Sequence, residues 1–181
     1  MPKPPYEFKQ SPNFKHSNGR KISAIVVHYT GSTHMEGTIA WFLNPQSKVS
    51  AHYVIGQDGR VVQMVLDGDI AWHAGRSAMR PELPDGNPQQ EPNVNTFSLG
   101  IELVGTHDSG FTDRQLASLY ALLEVLVTTY RVLPERVVGH STIAPGRKID
   151  PEGFHGQFNW PKARQVAQVA YSAVVKPLPH A

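Results

Sequence analysis

Three short apolar runs constrain this chain more than anything else in it. They are ISAIVVHYT (22–30), FSLGIELVG (97–105) and RVVGH (136–140). Their length and β-branched content suit strands. In the second run Leu99, Ile101 and Leu103 are expected to face one way, and Gly100, Glu102 and Val104 the other. Between the second and third lies TDRQLASLYALLEVLVTTYRVL (112–133), the strongest helical pattern in the sequence. Leu116, Leu119, Tyr120, Leu123, Leu126, Val127 and Tyr130 form its apolar stripe, and Thr112 with Gln115 fits a capping box. GTIAWFLN (37–44) also has helical spacing and stops at Asn44-Pro45. AHYVIGQDGRVVQMV (51–65) reads as a hairpin around Asp58-Gly59, a type I′ turn pair, and DIAWHAG (69–75) as a short extended piece. A last helix is expected from about Asn159 to Val175. Interleaved strands and helices with one hairpin predict an α/β fold, a single domain with a central mixed β-sheet flanked by helices.

The remaining segments bound this domain. Residues 1–20 carry Pro2, Pro4, Pro5 and Pro12 and are expected as an irregular arm, with the domain over 21–176 and a tail over 177–181. Residues 76–96 hold four prolines and little apolar content, the pattern of a long surface loop. A chain of 181 residues supports one real core. The net charge of +2 gives little reason to expect a nucleic-acid partner. Lys3, Lys9, Lys15, Arg20 and Lys21 make the arm basic, which reads first as a solvated tail. Without cysteine, disulfides and thiol nucleophiles are excluded, and any metal must be held by His, Asp or Glu. No apolar run approaches the ~20 residues that cross a bilayer, and no secretory signal is visible. The expectation is a monomer, cytoplasmic as synthesised. A chain trimmed of its signal would look the same and would belong to the periplasm.

Polar groups stand at the ends of the apolar runs: His28, Glu102 and His140. A lone histidine on an apolar strand is usually structural. Two of them with Asp150 on a nearby loop make a His/His/carboxylate set of the kind that holds zinc and leaves one position for water. Lys148 lies two residues before Asp150, so in an extended segment both project to one side. The ordinary alternative is a surface Lys-Asp pair. Glu102 sits among Leu, Gly, Ile and Val, where a carboxylate needs either a cationic partner or a raised pKa, and the second suits a general base.

Five segments, in order, resemble one family: VVHYTGS (26–32), SAHYVIGQDGRVVQMV (50–65), AWHAGRS (71–77), SLGIELVG (98–105) and VVGHSTIAPGRKIDPEGFHGQFNW (137–160). Together they are similar to the zinc-dependent N-acetylmuramoyl-L-alanine amidases of the amidase_2 group. That group includes AmpD-like enzymes and many phage lysins, and shares its fold with peptidoglycan recognition proteins. The resemblance implies Zn²⁺ held by His28, His140 and Asp150. It implies Glu102 as general base, Lys148 as the cation that stabilises the transition state, and Trp72 and His73 in a substrate groove. His52 is expected to be structural, and His155 is the rival ligand nearest Asp150.

Two positions depart from relatives. Some carry a catalytic tyrosine where this chain has Ala51, which leaves the base role to Glu102. Many AmpD-like members have aspartate where this chain has Thr142, which bears on loop support. The implied reaction is hydrolysis of the amide between N-acetylmuramic acid and L-alanine of the stem peptide, on peptidoglycan or a muropeptide, in wall lysis or wall recycling. As a lysin the chain would act on the cell wall. The rivals are a non-catalytic peptidoglycan recognition module and a zinc hydrolase of another peptide amide.

Overall fold

Alternating apolar residues in short runs give narrow strands, and the two long amphipathic stretches give the covering helices. A computed structural model describes residues 6–79, 90–152 and 158–175. Along the chain these form β1 (Glu7–Phe8), β2 (Phe14–Lys15), β3 (Ala24–Tyr29), α1 (Met35–Leu43), β4 (Tyr53–Ile55), β5 (Val61–Gln63), β6 (Ile70–Ala71), β7 (Ala78–Met79) and β8 (Glu91–Pro92). Then follow β9 (Ser98–Leu103), α2 (Asp113–Tyr130), β10 (Val137–Gly139), α3 (His140–Ile143) and α4 (Trp160–Val174). The main sheet has the order β1-β5-β4-β9-β3-β10. Its β4–β5 hairpin is antiparallel and its other neighbours are parallel, so the sheet is mixed as expected. β2–β6 and β7–β8 are separate two-residue antiparallel pairs.

One face of the sheet is covered by α2 and α4. Ile25, Val27, Leu99, Ile101 and Leu103 meet Leu119, Leu122, Leu123 and Leu126 of α2. α4 contributes Ala163, Ala167 and Ala170, whose small side chains let its backbone come close. The opposite face holds two smaller clusters, one around Ala24, Val26 and Val138, the other under Ile39 and Phe42 of α1. Among the described residues, no helix is long and apolar enough to cross a membrane.

Three local expectations change. The capping box is half formed: the Gln115 N–H donates to Thr112 Oγ1 (3.1 Å), but the Gln115 side-chain amide donates instead to the carbonyls of Ile55 and Val104. It tethers α2 to the ends of β4 and β9. The hairpin turn is not type I′, because Asp58 keeps a negative φ. Gly59 N–H donates to Gly56 O, and Gly59 at φ +87 makes a three-residue loop with a left-handed glycine. From Tyr6 onward the arm is built into the fold. β1 extends the sheet, Lys9 and Ser11 N–H groups donate to Gln63 and Met64 carbonyls, and the buried Asn13 amide donates to Phe42 and Asn44 carbonyls at the end of α1. The described parts of the 76–96 loop carry β7, β8 and a 3-10 turn at Val94–Thr96.

Candidate metal and catalytic site

β3, β9 and β10 run parallel and end at one edge of the sheet. In α/β sheets the crevice beyond the carboxyl ends of the strands is where ligands bind. The register pairs His28 with Glu102, so both side chains leave the same face of neighbouring strands. It also pairs Val27 with Gly139, which brings His140, the next residue, level with His28.

Asp150 arrives by a return of the chain. After α3, the Ala144 carbonyl accepts from the N–H groups of Arg147 (3.1 Å) and Lys148 (3.0 Å), which turns the backbone. The Ser141 N–H then donates to the Asp150 carbonyl at 2.9 Å and closes the loop. A Cβ at Gly139 would stand 2.8 Å from Pro151 Cδ and 2.9 Å from Trp160 Cζ2, so only glycine lets the loop pack on this strand end. The result is a triangle of ligand atoms. His28 Nδ1 lies 2.9 Å from His140 Nδ1 and 3.2 Å from Asp150 Oδ2, and His140 Nδ1 lies 3.1 Å from the same oxygen. All three residues are buried.

That triangle can hold a metal ion. Atoms about 2.0–2.1 Å from a tetrahedral zinc lie about 3.3 Å from one another, close to the spacing here. The His140 Nε2–H donates to the Ala74 carbonyl (3.1 Å), which leaves Nδ1 with its lone pair toward the triangle. Among the described residues, these three are the one group of His, Asp and Glu side chains so converged.

The charges around the triangle are set by burial. Burial pulls His28 down to about 4, against the opposing pull of the Asp150 carboxylate. At Asp150 burial pushes upward, but the His140 and His28 rings beside it outweigh that and hold the carboxyl well below the usual range. Glu102 is raised to about 8 by burial first and then by the Asp150 charge, with Lys148 opposing. No ion pair reaches Glu102 from the described residues, and its buried Oε2 has no hydrogen-bond partner. The cationic partner considered from the sequence is therefore not what satisfies it.

Lys148, Glu102 and the three ligands line a cavity of about 1060 Å³ that extends to Trp72 and to Trp41 on α1. Trp72 is half-buried in this wall. His73 also lines this cavity, and its ring is held from behind. Its Nδ1 is 3.0 Å from His28 Nε2 and its Nε2 is 3.2 Å from Ser98 Oγ, so both ring nitrogens are used inside the protein, behind His28. His52 is buried and structural, with Nδ1 accepting from the Gly100 N–H at 2.9 Å. His155 lies outside the described residues.

Sequence reasoning missed three contributors. Trp41 is 54% exposed at the cavity wall, and the helical spacing of 37–44 did not single it out. Ser98 and Arg147 were given no role. Arg147 donates to the Ala74 and Arg76 carbonyls and so pins the segment that anchors His140. The "GRK" string carries that arginine, but nothing in the string says which carbonyls it reaches.

Comparison with known proteins agrees with this geometry. Residues 18–153 match the family model Amidase_2, described as N-acetylmuramoyl-L-alanine amidase. The 1,6-anhydro-N-acetylmuramyl-L-alanine amidase AmpD of Haemophilus influenzae is 36% identical over 170 residues, covering 83% of this chain and 86% of that protein. A crystal structure of a selenomethionine derivative of AmpD superposes with a TM-score of 0.69 at 29% identity, over 91% of this chain and 95% of that one. The amidase AmiD of Escherichia coli, solved with anhydro-N-acetylmuramic acid-L-Ala-D-gamma-Glu-L-Lys, superposes at 0.69 with 30% identity, over 83% of this chain and 59% of that one. With its ligand triangle, its in-register glutamate and the match over most of its length, the chain belongs to the N-acetylmuramoyl-L-alanine amidase family.

Proposed function

We propose that this chain hydrolyses the amide between N-acetylmuramic acid and L-alanine in a zinc-dependent reaction. The observation that carries the reading is the convergence of His28, His140 and Asp150 beside the Glu102 carboxyl, which makes no ion pair with the described residues. A zinc ion held by the three would polarise the amide carbonyl, acidify water and favour the ionised form of Glu102. Glu102 takes a proton from the attacking water and passes one to the departing alanine amine. Lys148, without an ion pair among the described residues, offers its ammonium to the negative charge that builds on the carbonyl oxygen. Buried Asp150, held ionised, balances that cationic surround. Trp72 and Trp41 supply apolar wall for the muropeptide. Every group in this scheme comes from one chain, which supports a monomer as the working unit.

The test is mass spectrometry of products from purified peptidoglycan and from 1,6-anhydro-muropeptides, before chelation, after it, and after zinc is restored. The expected products are free stem peptides beginning with L-alanine, lost on chelation and regained with zinc. Cleavage of the polymer would support a lytic role, and cleavage of the small anhydro form alone a recycling role. Wall binding without cleavage of either would sink the proposal in favour of a recognition module.

A further inference from the structure

The two histidine ligands are fixed in different ways. His140 is anchored directly by a backbone carbonyl, that of Ala74. Among the described residues, His28 has no such carbonyl behind it. A chain of side chains stands there instead: His28 Nε2 to His73 Nδ1 at 3.0 Å, His73 Nε2 to Ser98 Oγ at 3.2 Å, and Ser98 Oγ to the Val94 carbonyl at 2.6 Å.

Proton bookkeeping gives this chain one direction. A carbonyl only accepts, so the Ser98 hydroxyl proton is spent on Val94. Ser98 Oγ can then only accept from His73, which places the His73 ring proton on Nε2. The neutral ring is left with a bare Nδ1, which accepts from His28 Nε2–H. His28 therefore presents a bare Nδ1 to His140 and Asp150, the state that metal ligation requires. In the opposite tautomer, His28 Nδ1–H would point into the triangle and block ligation, and the His28–His73 contact would have no proton to share.

The sequence also makes room for this relay. A Cβ at Gly100 would come within 2.4 Å of His73 Cγ. The glycine in the middle of β9 is the space into which the His73 ring fits, edge to face with His28 at 5.1 Å and with His52 at 5.7 Å between centroids. We infer that His73, backed by Ser98 and admitted by Gly100, is a positioning residue that sets the tautomer of His28 for metal binding. This rests on the metal reading of the triangle given above.

The test uses metal-free protein labelled with ¹⁵N-histidine, followed by zinc titration. Ring nitrogen shifts distinguish the two neutral tautomers. The wild-type chain is expected to show His28 and His140 both protonated on Nε2. His73→Leu should move His28 toward the Nδ1–H form and weaken zinc binding about 10- to 100-fold. His140 should keep its tautomer in that variant, which reports that the site is still folded. His73→Asn, which places an amide oxygen near the lost Nδ1, should restore most of the affinity. Ser98→Ala leaves both rings in place and should shift His28 the same way, by less. The relay is overturned if wild-type His28 carries its proton on Nδ1, if His73→Leu binds zinc within twofold of wild type, or if His73→Asn is as weak as His73→Leu. Failure of the wild-type chain to bind zinc would overturn the metal reading itself, and the same titration shows it before any variant is made.

Discussion

The two faces of the central sheet are built for different purposes. Against α2 and α4 the sheet shows Ile, Leu and Val, and the helices answer with Leu and Ala. On the other face the same strands carry His28, Glu102 and Gly100, and the buried neighbours include His52, His73 and Ser98. Burying polar groups costs free energy unless each finds a partner. The second face meets that demand with a chain of hydrogen bonds, and leaves unpaired Glu102 Oε2, an atom the proposed reaction uses. Strands with a period of two allow this division, since alternate residues serve stability and chemistry without sharing a surface.

The largest expected effect tests the polar face at its proposed metal ligands. Asp150→Ala should abolish zinc binding and turnover together, read by metal analysis and product release. Next, Glu102→Ala should cut turnover by about 10²–10⁴. Lys148→Ala should cost about 10²–10³ in turnover, with zinc still bound. The contrasting change on the apolar face is Leu123→Ala. It should destabilise the fold by about 2–5 kcal/mol in urea unfolding while zinc affinity stays within twofold. A loss of zinc affinity in that variant would mean the two faces are not separable.

The smallest effect sharpens the comparison through pH. His52 is fully buried, and burial with the Arg20 charge brings its pKa down from 6.5 to about 3. The folded protein thus keeps it neutral where the unfolded chain protonates it. Between these values the unfolded state binds more protons, so stability present above 6.5 is lost as the pH falls toward 3. Each such group contributes a slope of about 1.4 kcal/mol per pH unit within the window. His52→Gln should flatten the acid loss of stability by that share, measured by urea midpoints across the window. An unchanged slope would show that His52 is not held neutral.

The apolar face was nearly all legible in the sequence. The stripe of α2 was read correctly apart from Leu122, and the alternation of β9 predicted which side Glu102 would take. Periodicity reports burial, and burial built that face. The polar face was legible only in part. Order and spacing of the five segments pointed to His28, His140 and Asp150, and the structure brings them together. The same segments put His73 in the groove, and it does line the cavity, but a motif does not say that both its ring nitrogens are bonded inside the protein. Gly100 read as one more member of an alternating strand, whereas its missing Cβ is what admits His73. The arm was expected to be irregular for a related reason. Ser11 and Asn13 hold it by hydrogen bonds to carbonyls distant in sequence, and such bonds leave no periodic trace.

The most direct measurement of the central claim is zinc stoichiometry and affinity in Glu102→Ala, set beside its turnover on a muropeptide. In the proposed reaction, metal binding and proton transfer belong to different residues of one strand edge. One zinc per chain at wild-type affinity, with turnover down by about 10²–10⁴, is the predicted result. Loss of zinc along with activity would make Glu102 part of the metal site, and full turnover would remove it from the reaction.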